Sequence, residues 1–466
     1  MASKQFHVMM FPWLAFGHMI PYLEFSKKLA SKGIRVSFVS TPRNLQRLPP
    51  VPSNLANHLK FVEVLLPPVD GLPENCQATI DLQLDQIQYL KKAFDGLQAS
   101  FEKLVREDLP DLILFDFIQC WIPGIAAKFG VPSGYFCVHP ASTLAFIGPA
   151  NELKHPRMRI KPEDFTVVPE WIPFPSLVAQ RPDRAAVMFH NMNSPDVSGK
   201  STGHRFAATL EGCDFVAVRS CRKFEGTYVD LLQELYQKPV FPVGLLPGNT
   251  VKDKINHPDL PSWSDSFKWL DKQERKSVVF VGFGTEYKMP VKQVHELAHG
   301  IELSKLPFIW ILRKPEGLDI SELLPAGFLD RTSDRGIVCL GWAPQPEILA
   351  HPAVGGCLFH SGWGSIIESL SHGHPQILMP MVADQGLNAK LLCEKGIGFH
   401  VPSNEDGAYS QDSIAMSLRF VMAGQEGKHL RYQAAEMQTI FANQDLHDNY
   451  IEEFINYIST LRKGKV

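Results

Sequence analysis

The sequence predicts an α/β protein of two doubly wound domains facing each other across a cleft, and three observations carry that expectation. A chain of 466 residues is too long for one ordinary core and suits two domains of roughly 200 residues. It opens on a strand–helix–strand unit, which requires a parallel sheet with a right-handed crossover. The same alternation restarts after a Pro-rich break at 245–263. The expected boundaries are 1–244 for the first domain, 245–263 for the linker and 264–445 for the second. A last helix, 446–466, is expected to pack back on the first domain.

Each element follows from its residues. Phe6–Phe11 is a short apolar run fit for a strand covered on both faces. Pro21 suits a first helical turn, Lys27, Lys28 and Lys32 fall late in that helix, and Gly33 closes it. Arg35–Ser40 resumes as a β-branched strand, Asp111–Phe115 is another, and Ile122–Phe129 reads as a helix. From about Asn151 to Ser201 the periodicity fails and Pro, Asn and Arg accumulate, as in a long irregular excursion forming a substrate-facing wall. Phe215–Val218 and Val240–Val243 close the first half. In the second half, Ser277–Gly282, Phe308–Leu312, Ile337–Leu340, Gly356–Phe359 and Gln376–Pro380 read as strands, with helices at Val291–Leu303 and Ser365–His372. The last forty residues are helical in pattern and end in the basic tail Arg462–Lys465.

Composition removes several function classes. Apolar residues at 45% and charged residues at 20% are ordinary for a globular chain and argue against disorder. A formal charge of -3 leaves no basic surplus for a nucleic-acid backbone or an anionic membrane. The eight cysteines are scattered without C-x-x-C spacing, so neither a zinc site nor a disulfide framework is expected. Pro132, Pro140 and Pro149 interrupt the longest uncharged run, Phe129 to Asn151, which is no membrane helix. The apolar start is broken by Pro12 and lacks a small-residue cleavage site, so a cytoplasmic protein is expected.

The most informative stretch runs from Trp342 to Gln385: W-A-P-Q-P-E-I-L-A-H-P-A-V-G-G, then F-H-S-G-W-G-S-I-I-E, then G-H-P-Q-I-L-M-P-M-V-A-D-Q. His360-Ser361-Gly362-Trp363-Gly364-Ser365 follows an apolar strand and opens a helix. Free backbone N–H groups and the positive dipole end there suit a pyrophosphate. Gly282-Phe283-Gly284-Thr285 forms a second turn after a strand, with N–H groups and the Thr285 hydroxyl available. It lacks the third glycine of a dinucleotide fingerprint. Taken singly, Trp342 and Trp363 could be core and Ser365 a helix cap.

The 342–385 stretch resembles, in residues and in its length of 44, the signature of plant secondary-product glycosyltransferases, a branch of the family 1 UDP-sugar-dependent enzymes. The resemblance extends over nearly the whole chain. It implies the two-Rossmann arrangement called GT-B, with the acceptor bound by the first half and a UDP-sugar held mainly by the second as co-substrate, and no further cofactor and no metal. It implies that Trp342 stacks on uracil, with Ala343 and Gln345 at the nucleoside. Glu368 would accept from the ribose hydroxyls, and His360, Ser365, Gly284 and Thr285 would meet the phosphates. Trp363, Asp384 and Gln385 would meet the sugar. Most members carry Asn where this chain has Gly364, which puts one phosphate or sugar contact in doubt. Gly364 with Gly373-His374-Pro375 looks like the subgroup that extends existing glycosides, and Gln385 points to glucose as the donor sugar.

The reaction such a protein would run needs a base, because a hydroxyl attacking an anomeric carbon must lose its proton. His18 sits between the first strand and first helix, at a strand's carboxyl end, where doubly wound folds bind ligands. It matches the family's catalytic histidine. Asp116 also ends a strand and could orient the imidazole, its plain alternative being a helix cap. Trp13, Phe16, Trp121 and His139 lie near strand ends and are candidates to line the acceptor pocket, each equally suited to the core. The segments Phe11–His18 and Ser40–Asn44 resemble enzymes that extend flavonoid or terpenoid glycosides. The expectation is therefore an inverting, monomeric hexosyltransferase acting on a glycoside, the alternatives being an aglycone acceptor or a silent UDP-sugar binder.

Overall fold

The structure, a computed structural model, describes residues 5–247, 263–284, 286–313, 319–341 and 343–463. Most of the expected linker, 248–262, and the end of the basic tail, 464–466, lie outside the described residues. The chain divides into two compact units, one comprising Met1–Phe174, Ala185–Gly248 and Gln444–Val466, the other Pro175–Arg184 and Asn249–Asn443.

Unit 1 holds a seven-stranded, wholly parallel sheet in the order β3-β2-β1-β4-β5-β6-β7. Its strands are β1 (His7–Phe11), β2 (Arg35–Ser40), β3 (Leu59–Glu63), β4 (Leu112–Phe115), β5 (Ser133–Cys137), β6 (Phe215–Val218) and β7 (Val240–Pro242). The inner strands are buried along their length, as a sheet with helices on both faces demands. The chain leaves β1 in one direction and returns through β4 in the other, so the carboxyl ends of β1 and β4 flank a topological switch point. The last helix, Gln444–Lys463, belongs to this unit. Ile451, Phe454 and Ile458 enter its core, with the Phe454 ring tilted against Phe25 at 5.3 Å and edge-on to Phe215 at 5.8 Å. Lys28–Asp448 at 2.7 Å and Lys32–Glu452 at 2.6 Å tie its outer face to the first helix.

Unit 2 holds a six-stranded parallel sheet in the order β10-β9-β8-β11-β12-β13. Its strands are β8 (Val278–Gly282), β9 (Phe308–Leu312), β10 (Gly336–Leu340), β11 (Val354–Phe359), β12 (Gln376–Leu378) and β13 (Gly398–His400). The switch point here lies between β8 and β11, where Gly282 pairs in register with Phe359.

Two expectations are corrected. The first helix spans Phe16–Ser31, so Pro21 is its sixth residue and not part of its first turn. Ala15 is extended, and its carbonyl accepts from the N–H groups of His18 and Met19, which starts the helix one turn early. The excursion at 151–201 is also more ordered than expected. It contains the twelve-residue helix Pro182–Asn193, and its segment Pro175–Arg184 belongs to unit 2 although it lies within 1–244.

Candidate active site

Both switch points carry chemistry. In unit 1, His18 follows β1 and Asp116 follows β4, and the adjacent pairing of those strands (Phe11 beside Phe115) brings the two side chains together. Nδ1 of His18 lies 2.6 Å from Oδ2 of Asp116, with the imidazole 13% exposed and the carboxylate 1%. An ionised carboxylate only accepts, so Nδ1 carries the hydrogen and Nε2 is left with its lone pair. Asp116 is itself fixed by the N–H groups of Phe117 at 2.8 Å and Trp13 at 3.3 Å. It therefore caps the 3-10 turn Phe117–Gln119 and orients His18 at once. Arg205, wholly buried, holds that turn from below by donating to the Ile118 carbonyl at 2.7 Å.

The acceptor candidates divide by what they pack against, only Trp13 being fully buried. The ring of His139 stands edge-on to His18 at 5.4 Å, and Phe16 carries the Arg47 guanidinium 5.2 Å above its ring. Trp13 and Trp121 pack inward instead. Trp13 meets Phe94 at 5.2 Å, and Trp121 meets Phe101 at 5.7 Å and Phe11 at 6.4 Å. Glu225, buried in a kinked helix, accepts from the N–H groups of Ala141 and Ser142, and so anchors the helix Ala141–Ile147 that follows His139.

In unit 2 the turn after β8 meets the turn after β11. Gly284 has φ +65, and a Cβ there would lie 2.8 Å from Cε1 of His360, so only glycine admits the imidazole. Burial pushes the His360 pKa down to about 4, against the opposing pull of Asp384, and its Nδ1 has no hydrogen-bond partner. At neutral pH it offers an N–H rather than a charge. Ser365 is the third residue of the helix Trp363–Leu370 and lines a small hollow with Gly282, Gly284, Gln345 and Ser369. Gln345 of that lining donates through Nε2 to Glu368 at 2.6 Å, which holds the carboxylate in one orientation. Ala343 accepts from the Gln345 N–H at 2.8 Å. Gly364 is the second residue of the same helix, whereas Trp363 is buried with its ring edge-on to Phe441. Thr285 and Trp342 lie outside the described residues.

Asp384 and Gln385 sit at the start of the helix Gln385–Glu394. Oε1 of Gln385 accepts from the N–H groups of Met381 and Val382, which leaves its Nε2 as the group to offer a ligand. Asn388 donates to Asp384 at 2.8 Å and to the Ser361 carbonyl at 3.0 Å, joining the two loops. Sequence reasoning missed Asn388, although its place one helical turn after Asp384 was a signal. It also missed Arg181. That guanidinium, from the Pro175–Arg184 segment, donates to the Pro380 carbonyl at 2.8 Å, to Ser403 at 3.2 Å and to the Tyr409 hydroxyl, and is paired with Asp183. Tyr409 donates to the same carbonyl at 2.9 Å. Pro380 begins the loop that ends at Asp384, so Arg181 fixes that loop from a segment distant in sequence.

Comparison with known proteins shows the family and the fold. Residues 206–439 match the family described as UDP-glucoronosyl and UDP-glucosyl transferase. The chain is 42% identical to UDP-glycosyltransferase 91C1 of Arabidopsis thaliana, covering 97% of this chain and 96% of that protein. It is 33% identical to a beta-D-glucosyl crocetin beta-1,6-glucosyltransferase of Gardenia jasminoides over 91% of this chain and 92% of that one. Among solved structures, UGT73P12 of Glycyrrhiza uralensis, complexed with glycyrrhetinic acid 3-O-monoglucuronide, superposes with a TM-score of 0.81 at 23% identity. That match covers 99% of this chain and 97% of that one, and it shows the fold, the two-Rossmann class called GT-B. No described helix is long and apolar enough to cross a membrane.

Proposed function

The chain belongs to the UDP-glucoronosyl and UDP-glucosyl transferase family and is a plant-type UDP-glycosyltransferase, and from that premise we propose that it adds glucose to a sugar hydroxyl of a flavonoid or terpenoid glycoside. The observation that carries the reading is the His18–Asp116 pair, a positioned base that a mere binder of UDP-sugar does not need. Nε2 of His18 takes the proton of the acceptor hydroxyl as its oxygen attacks C1 of the sugar. The bond from C1 to the β-phosphate oxygen breaks, UDP leaves with the electron pair, and the anomeric configuration inverts. Asp116 stabilises the imidazolium that forms.

The charge arriving on UDP would be met by the free N–H groups opening the helix Trp363–Leu370, by Ser365 and Thr285, and by the His360 N–H. Trp342 and Ala343 would face the base, Glu368 the ribose, and Trp363, Asp384 and Gln385 the sugar, with Gly364 leaving room where other members place an amide. Positioned donors of this kind supply electrostatic stabilisation without a metal, so turnover should be indifferent to a chelator. We further propose that the protein works as a cytoplasmic monomer.

A glycoside acceptor is supported by the relative whose name specifies a glucosyl crocetin substrate. The test is turnover of matched aglycones and monoglucosides with several UDP-sugars, with product linkage and anomeric configuration read by mass spectrometry and NMR. Faster turnover of monoglucosides with UDP-glucose, giving inverted products, is expected. Preference for bare aglycones would remove the acceptor assignment, and retained configuration would remove the mechanism.

A further inference from the structure

Arg159 is a buried cation whose N–H groups have no acceptor. It is 5% exposed, and Nε, Nη1 and Nη2 are all without a hydrogen-bond partner. Three aromatic rings surround the guanidinium, with Cζ 4.1 Å from the ring centroid of Phe146, 4.7 Å from Phe165 and 4.8 Å from Trp171. Aromatic faces stabilise the positive charge. They do not satisfy the donors, which project from the edge of the plane.

The carboxylates close by are committed elsewhere. Oε1 of Glu152 accepts from the backbone N–H groups of Arg157, Met158 and Arg159 at 2.9, 2.8 and 3.2 Å. Oδ2 of Asp164 accepts from those of Ile160 and Lys161 at 2.9 and 3.0 Å. Both act on the guanidinium through space without bonding to it. Burial lowers its pKa to about 9, so it remains a cation at neutral pH. Beside it lies a small hollow walled by Ile147, Leu153, Pro156, Met192 and Asn193, with Glu152 also in its lining. A buried charge is tolerated when paired, and here Glu152, which lines the hollow too, spends its Oε1 on three backbone N–H groups and bonds none of the guanidinium donors.

We infer that the hollow beside Arg159 is a binding site for a single carboxylate of a small molecule, gripped by the guanidinium edge through two parallel hydrogen bonds. Two coplanar oxygens match the fork of arginine. The mainly apolar walls favour a carboxylate on an organic body over a heavily hydrated phosphate. Ile147 ends the helix Ala141–Ile147, whose first residue stands two places after His139. Seven helical residues span about 10 Å, so an elongated acceptor could reach from His18 to the hollow. The acid therefore has two sources, the far end of the acceptor or a free small acid, and the first rests on the transferase reading above.

The experiment uses the full chain and titrates 13C-acetate by NMR into the wild type, R159K and R159M, with acetamide as the neutral match and chloride at equal ionic strength. Wild type should bind acetate and not acetamide. R159M should lose binding, and R159K, a point charge without the fork, should weaken it on the order of 10-fold. Absence of acetate binding to the wild type, or unchanged affinity in R159K, overturns the site, and the R159K result stands even if R159M fails to fold. A second arm compares KM for a flavonoid glucuronide and the corresponding glucoside. A rise on the order of 10-fold for the glucuronide alone in R159K assigns the acid to the acceptor; equal KM changes beside intact acetate binding assign it to a free acid. Failure to turn over either glycoside would defeat the transferase reading and leave the acetate result standing.

Discussion

His18 and Asp116 are separated by 98 residues of sequence and 2.6 Å of space. The junction exists because β1 and β4 are neighbours in the sheet while the chain between them winds β2 and β3 on the other side. The proposed base and its orienter thus come from two loops whose meeting is a property of strand order.

Replacing His18 with Ala should lower kcat by roughly 10²–10⁴-fold while the Kd of UDP changes little. Asp116→Asn should fall in a similar range, because an amide can donate to Nδ1 and so hold the imidazole in the wrong tautomer. Single-turnover kinetics beside UDP calorimetry would check both. Normal transfer by H18A would show that the base has been misassigned.

Gly284→Ala tests the proposed role of its turn in holding the donor. At φ +65 an L-residue costs roughly 1–2 kcal/mol, and the new methyl would press on His360. UDP affinity should fall on the order of 10-fold, a loss of about 1.4 kcal/mol. Equal UDP affinity in G284A and wild type, measured by calorimetry, would argue against any role for this turn at the phosphates.

Arg181 should separate sugar from nucleotide. R181M removes the guanidinium donor of the Pro380 carbonyl and one of the two cations paired with Asp183, Arg184 staying at 3.3 Å, and should cost on the order of 2 kcal/mol of stability. If the loop to Asp384 positions the sugar, KM for UDP-glucose should rise about 10-fold with the Kd of UDP nearly constant, and R181K should recover part of the loss. Parallel weakening of UDP and UDP-glucose would reduce Arg181 to a structural tie.

His374 gives the chain a pH-dependent stability. Its Nε2 donates to the Leu349 carbonyl at 2.7 Å, and its Nδ1 faces the Lys276 ammonium at 3.4 Å. Burial first, and then Lys276, push its pKa down to about 3. The unfolded chain, with an ordinary histidine pKa near 6.5, binds the proton more readily. Stability is therefore fully present above about pH 6.5 and is lost as pH falls from there toward 3, by roughly 2–5 kcal/mol for this residue. His7, held near 4 by burial, adds in the same direction. Urea midpoints at pH 7.5 and 4.5 should differ less in H374Q than in wild type, and an unaltered difference would contradict the assignment.

The sequence was legible wherever a signal was local. β2, β6 and β9 were located to the residue, because each is a short apolar run between turn residues. The edge strand β3 was missed, since Leu59–Glu63 alternates with exposed Lys60 and reads as loop. β5, Ser133–Cys137, carries no β-branched residue and so gave no strand signal between Pro132 and Pro140. His360, Ser365 and Glu368 could be placed because they share one turn and one helix. Arg181 could not, because its partners Pro380 and Tyr409 lie 199 and 228 residues away and nothing in a proline-rich stretch announces them.

The chain passes between its two units four times, at 174/175, 184/185, 248/249 and 443/444. Neither half is consequently a detachable cassette. Severed at 248, the leading fragment would lack Phe454 and the rest of its core-closing terminal helix, while the trailing fragment would lack the ten-residue strap bearing Arg181. Anyone grafting donor preference between homologous transferases would have to transplant 175–184 together with 249–443, or the grafted loop from Pro380 to Asp384 would arrive without its brace.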